Sequence, residues 1–387
     1  MFVSITALIF YFGLLDFGLG VDQLIFVQTV WRHGDRTPVW DYPGDPNADY
    51  QWPVGPGELT PHGEEQHKVL GGIFRQLYAT GQNSFLNPNY DEKEIYIRST
   101  EMPRAIDSAK ADMQGFFPDL TAGNAEEPAY RSRIPIQTED IKTDFAGFLP
   151  DCPGHDRALV EYIDRIEAPV LAKYQDLLDL IHENTGLNIS LHNWDPYMIY
   201  DLFHIQRDLY HMPVPDWFTT QVQYRTKQLA IWRVDAFLGY GNPHSVEVAR
   251  FRGELLKEML QRMDDKLACA QNPQTPGLNC TFLAPLKFYA YSAHDLTVAS
   301  LLASLGSYLS IPGRFLHYTV CATMELWMRD GVPYVKILLR STPWGNFHVF
   351  TPFTPGCPEA PFCPLSTLKD RSAPYLPKNI TAACGVA

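Results

Sequence analysis

The run Arg32-His33-Gly34-Asp35-Arg36-Thr37-Pro38 holds the densest set of chemically capable groups in the chain. An imidazole nitrogen is a nucleophile, and guanidinium forks match the oxygens of a phosphoryl group. A glycine straight after the histidine lets the backbone turn sharply and approach a ligand closely. Such a loop can present His33 to a phosphorus atom while Arg32 and Arg36 hold the oxygens. The bland alternative is a histidine in a turn with surface arginines. Further groups of matching type are Arg98, Arg104, His294 and Asp295. Arg98 suits a third guanidinium contact or an ordinary ion pair, and Arg104 either pocket support or an ion pair. Asp295 stands before an apolar helical run, where an aspartate is an ordinary N-cap. His62 and His67 are five apart rather than four, so they do not share a metal and read as solvated-face histidines. Ser292 lacks the flanking glycines of a nucleophile elbow. No metal or cofactor is expected.

These residues need strands to carry them to one place. Residues 23–31 read as a buried strand feeding RHGDRTP, and 94–99 and 286–293 as two more. Ligands in open α/β sheets bind beyond the carboxyl ends of strands, so the three ends can converge on one pocket. Thr60-Pro61 signals a helix to about residue 80, with Thr60 as N-cap, and Pro103 opens another to about 117. A helix is expected over HDLTVASLLASL. VCATMELWM and PYVKILLR, joined across Asp330-Gly331, predict a hairpin. Long helical patterns dominate between about 155 and 265. The expected fold is α/β, a central mixed sheet flanked by helices with an α-helical insertion or cap. Its segments are 1–20 as a leader, 21–150 and 266–387 as the α/β domain, and 151–265 as the cap. The tail after 341 is read as a disulfide-pinned surface wrap.

With 387 residues, 45% of them hydrophobic, the chain can bury a large core. Its 31 basic and 44 acidic residues leave a net charge of −13, with the basic residues scattered, which argues against nucleic acid as a partner. An acidic surface repels anions at long range, so a phosphate site would need local arginines to reverse the field. Residues 1–20 are almost wholly apolar, with Asp16 the single charge, and read as a secretory signal ending in small residues Gly18 and Gly20. No later stretch suits a membrane span, so the mature chain is expected to be soluble and secreted, or lysosomal. Cys269/Cys280 and Cys357/Cys363 each flank a short turn-rich loop. Asn188, Asn279 and Asn379 head glycosylation sequons.

The motif RHGDRTP resembles the signature of the histidine acid phosphatases. The similarity runs on through LTPHGEEQH (59–67), YIRST (96–100), YSAHD (291–295) and the cysteine-bearing tail. The resemblance implies hydrolysis of small phosphate monoesters through a phosphohistidine on His33, with Asp295 as proton donor. It assigns Arg32, Arg36, Arg98 and His294 to the phosphate and implies a homodimer. Acidic operation is expected to keep the donor carboxyl partly protonated. The implied disulfides are Cys152–Cys384, Cys269–Cys280 and Cys357–Cys363. The resembling mammalian enzymes carry a cysteine where His211 lies, so Cys321 is expected as a free thiol. The phytase branch shares RHGxRxP, and a phytase-like enzyme is the alternative within the family. A binding protein that keeps this fold without catalysis is the alternative from another class.

Overall fold

A computed structural model describes residues 22–81, 84–118, 134–148 and 150–386; the expected leader at 1–20 lies outside them. Among the described residues eight strands form one mixed sheet: β1 (Gln23–Arg32), β2 (Ile95–Thr100), β3 (Ile136–Glu139), β4 (Phe288–Ala293), β5 (Cys321–Arg329), β6 (Val332–Arg340), β7 (His348–Val349) and β8 (Cys363–Pro364). The order is β3-β2-β4-β1-β5-β6-β7, with β8 also against β6. β3, β2, β4 and β1 pair in parallel, while β5 and the strands after it add antiparallel. Parallel strands are stable when both faces are covered. All six residues of β4 are accordingly buried.

Among the described residues the α-helices are α1 (Pro61–Phe74), α2 (Pro103–Phe116), α3 (Pro153–Ile166), α4 (Ala168–Thr185), α5 (Asp195–Phe203), α6 (Thr220–Phe237), α7 (Val246–Phe251), α8 (Glu254–Gln271), α9 (Cys280–Leu283), α10 (Asp295–Ser304), α11 (Leu365–Ser372) and α12 (Ile380–Cys384). Thr60 caps α1 by accepting from the Gly63 amide at 3.1 Å, and Pro61 fills the first turn. Past Phe74 the chain continues as a π-helical turn to Thr80, where the periodicity ends. α1 and α2 cover one sheet face, setting Leu70, Phe74, Met113 and Phe116 on Val27, Trp31 and Phe288. α8 and α10 cover the other, where Met259, Met263, Val298 and Leu302 pack with Phe26, Val30 and Met324. The hairpin turns at Asp330-Gly331, both at positive φ (50° and 77°), as a tight hairpin turn requires.

Between them, α3 to α7 build a helical block with cores of its own, one around Leu177, Ile199 and Phe203 and another around Tyr162 and Ile163. Helix α8, expected within that block, lies on the sheet instead. Its apolar stripe faces β1, and Gln28 in that strand donates to the Met259 carbonyl at 2.8 Å. The tail is likewise more than a wrap: β7 and β8 extend the sheet, and Leu365 and Leu368 are buried in the main core. Disulfides join Cys152 to Cys384, Cys269 to Cys280 and Cys357 to Cys363. The first spans 232 residues and clamps the start of α3 to the end of α12. Closing a loop that long stabilises the fold by about 5 kcal/mol in the chain-entropy view. Cys321 is a buried free thiol whose pKa burial pushes up to about 12, so it is inert.

Candidate active site

Three parallel strands end in step: Arg32 of β1 lies beside Ala293 of β4, and Ser99 of β2 beside Ser292. The next residue after β1 is His33, and the next after β4 is His294, their rings edge to face at 5.6 Å. The His33 amide donates to the Ala293 carbonyl at 2.9 Å, which fixes one strand exit against the other. Its Nδ1 lies 2.8 Å from the Gly34 carbonyl. A proton on Nδ1 satisfies that contact and leaves Nε2 as a bare lone pair. His294 Nε2 meets Thr100 Oγ1 at 3.0 Å, so β2 also reaches the site.

The acid and the guanidiniums interlock around these rings. Asp295 opens α10, accepts from the Leu296 amide at 2.8 Å and from the Tyr197 hydroxyl at 2.5 Å, and meets Arg32 Nη2 at 3.2 Å. Arg32 lies over the Tyr318 ring at 4.3 Å and also donates to the Leu316 carbonyl. Arg36 pairs with Asp201 of α5 at 2.9 Å. Arg104, in the first turn of α2, lines the same pocket, and no carboxylate pairs with it among the described residues. Burial and then the Arg104, Arg32, His294 and Arg36 charges hold the His33 pKa well below 6.5, so the imidazole stays neutral at acid pH. Burial and Arg104 bring His294 down to about 3. Burial pushes Asp295 up, but Arg32, Tyr197 and the Leu296 amide outweigh it and hold the carboxyl below its ordinary range. These partners therefore keep Asp295 ionised, against the expectation of a partly protonated acid, because they favour the anion.

The set of a neutral imidazole, guanidiniums, a helix N-terminus and one carboxylate suits phosphoryl chemistry. The family described as histidine phosphatase superfamily (branch 2) matches residues 23–340. The chain belongs to that superfamily. Among similar proteins, bovine prostatic acid phosphatase is 29% identical over 99% of this chain and 93% of its own length. Bovine lysosomal acid phosphatase is 30% identical, covering 97% and 86%, and human testicular acid phosphatase 31%, covering 93% and 82%. Two solved phytases share the fold: the Hafnia alvei apo form (TM-score 0.64, 17% identity, 94% of this chain and 98% of that one) and the Citrobacter braakii enzyme (0.65, 17%, 94% and 100%).

In this histidine phosphatase the strand ends bring together His33, Arg32, Arg36, His294 and Asp295. Arg98 is not among them. It lies on the α8 side of β2, its guanidinium held by Asp144 and Glu139 at 2.5 Å each and by Glu258 at 3.1 Å. Strand alternation puts Arg98 one pleat too early, and its work is to anchor the loop that carries Asp144. Arg104 stands in the pocket instead. Its sequence signal is an arginine straight after a helix-opening proline, past the end of β2. Tyr197 and Asp201, four apart on one face of α5, are further site residues that local pattern did not flag. His67 departs too: it is fully buried, its Nε2 3.2 Å from the Arg32 carbonyl, while His62 is exposed. Gly34 serves packing as well as turning, since a Cβ there would sit 2.4 Å from the Gly63 carbonyl oxygen of α1.

Proposed function

We propose that the protein is an acid phosphatase that hydrolyses phosphate monoesters through a phosphohistidine on His33. The observation that carries this is the bare Nε2 of a neutral His33 inside a cluster of guanidiniums, with Asp295 beside it. Family membership and acid phosphatase relatives support the same activity. Arg32, Arg36, Arg104 and His294 hold the phosphoryl oxygens and stabilise the charge of the in-line transition state. His33 Nε2 forms the P–N bond as the P–O bond to the alcohol breaks. Asp295 passes its proton to the departing oxygen. In the second step Asp295 takes a proton from water, the hydroxide displaces His33, and inorganic phosphate leaves. Since Arg32, Tyr197 and the Leu296 amide hold Asp295 ionised, its proton arrives with the substrate. A monoester with a second pKa of ~6 is mostly the monoanion at pH ~5 and carries the proton required. This gives acid operation a cause: it protonates the substrate while His33 stays neutral.

Three disulfides fit an oxidising compartment. The three sequon asparagines are exposed, and the side-chain oxygens of Asn279 and Asn379 cap short helices while their amide nitrogens stay open to a glycan. No helix among the described residues is long and apolar enough to cross a membrane. A secreted or lysosomal destination and association as a homodimer complete the reading.

Quench-trapping tests the chemistry. With an aryl phosphate, wild type and Asp295→Asn should both yield acid-labile protein phosphate, whereas His33→Ala should yield none and no turnover. Phosphate trapped on folded His33→Ala would move the nucleophile elsewhere.

A further inference from the structure

The pocket at His33 extends far past a phosphoryl group, to about 820 Å³. Phe148, Trp194, Tyr197 and Phe237 make much of its wall aromatic. The same lining includes Arg252, the residue after α7, 9% exposed. Its guanidinium stacks on Phe237 at 4.1 Å and its Nε donates to Ser300 Oγ at 3.2 Å. Its Nη1 is buried with no hydrogen-bond partner. Burial alone brings its pKa down to about 9, with no neighbouring charge offsetting it. His155 sits in the same pocket against Phe237, with its Nδ1 3.4 Å from the Asp156 carboxylate. Of the carboxylates that share this lining, Asp295 belongs to the phosphoryl site, where it meets Arg32, and Asp151 and Asp156 are exposed.

Burying a guanidinium without an anion is unfavourable unless a ligand completes it. Arg32 and Arg36 have carboxylate partners. Arg104 and Arg252 have none among the described residues, and Arg104 faces the phosphoryl site. Ser300, which holds Arg252, lies five residues along α10 from Asp295, roughly 8 Å along the helix axis at 1.5 Å per residue, so Arg252 joins the lining at a different point from the phosphoryl site.

We infer that Arg252 forms a second anion subsite, and that the preferred substrates are phosphate monoesters carrying a second oxyanion across an apolar spacer. This rests on the phosphatase reading and specifies its substrate class. The aromatic wall takes the spacer, and the guanidinium takes the far charge.

The test compares two substrates with nearly the same leaving alkoxide: a five-carbon ω-carboxyalkyl phosphate and its ω-carboxamide, assayed above the carboxyl pKa of ~4.3. Wild type should favour the carboxylate about tenfold or more in kcat/KM, expressed mainly in KM, as a charge-assisted hydrogen bond allows. Arg252→Met should bring the ratio of the two close to one, and Arg252→Lys should restore part of it. A wild-type ratio near one, or a ratio that Arg252→Met leaves intact, overturns the subsite. The wild-type ratio decides the matter even if Arg252→Met fails to fold. Turnover of neither substrate by wild type would instead strike at the phosphatase reading.

Discussion

Arg104 has no carboxylate of its own, so its charge falls on the ring beside it. After burial it is the largest influence holding His33 deprotonated. Removing that charge should let the imidazolium form more readily, which raises the His33 pKa. The acid limb of kcat/KM should then move to higher pH in Arg104→Met, with kcat reduced ~10²–10³-fold for the lost oxyanion contact. Arg98→Met should weaken the fold by freeing Asp144 and Glu139 from their cation, with the acid limb in place. A pH–rate profile on both variants separates the two arginines, and a shifted limb in Arg98→Met alone would reverse their roles. The contrast shows what a linear sequence carries. RHGDR and His-Asp are local in the chain, so their convergence follows from strand ends. Choosing between Arg98 and Arg104 requires the pleat of β2 and the direction of the loop after it, neither of which is written in the arginines themselves.

At the level of elements, the nucleophile loop is clamped by a helix it hardly precedes. Gly34 and Gly63 touch backbone to backbone; a Cβ on Gly63 would lie 2.3 Å from the Asp35 carbonyl oxygen. Thr60 and Tyr210 each donate to the Asp35 carboxylate at 2.6 Å and tighten the same corner from two sides. Gly63→Ala should therefore displace the RHGDR loop and cut kcat at least tenfold. Gly72, in the same helix, has open space around its Cβ position. Gly72→Ala should keep activity and stabilise by ~0.5–1 kcal/mol, the usual gain for alanine in a helix interior. Thermal melts and steady-state rates on the pair check this, and full activity in Gly63→Ala would refute the clamp. Strand and helix signals, the capped start of α1 and the Asp330-Gly331 turn were legible because each is a short-range pattern. The seating of α5 over the site was not: Tyr197 reaches Asp295 and Asp201 reaches Arg36 only through the tertiary fold.

Across the whole molecule, an enzyme built around neutral buried imidazoles carries a liability in acid. His294 is held at about 3 and His317, by burial and Arg32, at about 4. In the unfolded chain each titrates near ~6.5. Below that pH the unfolded state takes up protons that the native state refuses, so stability falls as pH drops from ~6.5 towards the native values. His67, also at about 3, is offset by Asp112, the buried acid 3.5 Å from it. Burial raises Asp112 well above its ordinary range. The native pair keeps its proton on Asp112, the unfolded pair keeps one on His67, and acid then favours neither state. Asp235, raised to about 6 by burial, gains a native proton and works in the stabilising direction. His294 has no such counterweight, since Asp295 beside it is held ionised. His294→Asn should be less stable than wild type near neutrality, where the Thr100 contact is lost. Between pH ~6.5 and ~4.5 the variant should recover about 2–3 kcal/mol relative to wild type, because it no longer carries the proton linkage. That appears as a gap of several degrees in Tm closing on acidification. Parallel melting curves for the two proteins would reject a neutral buried His294. They would also show that its proton is held in the native state.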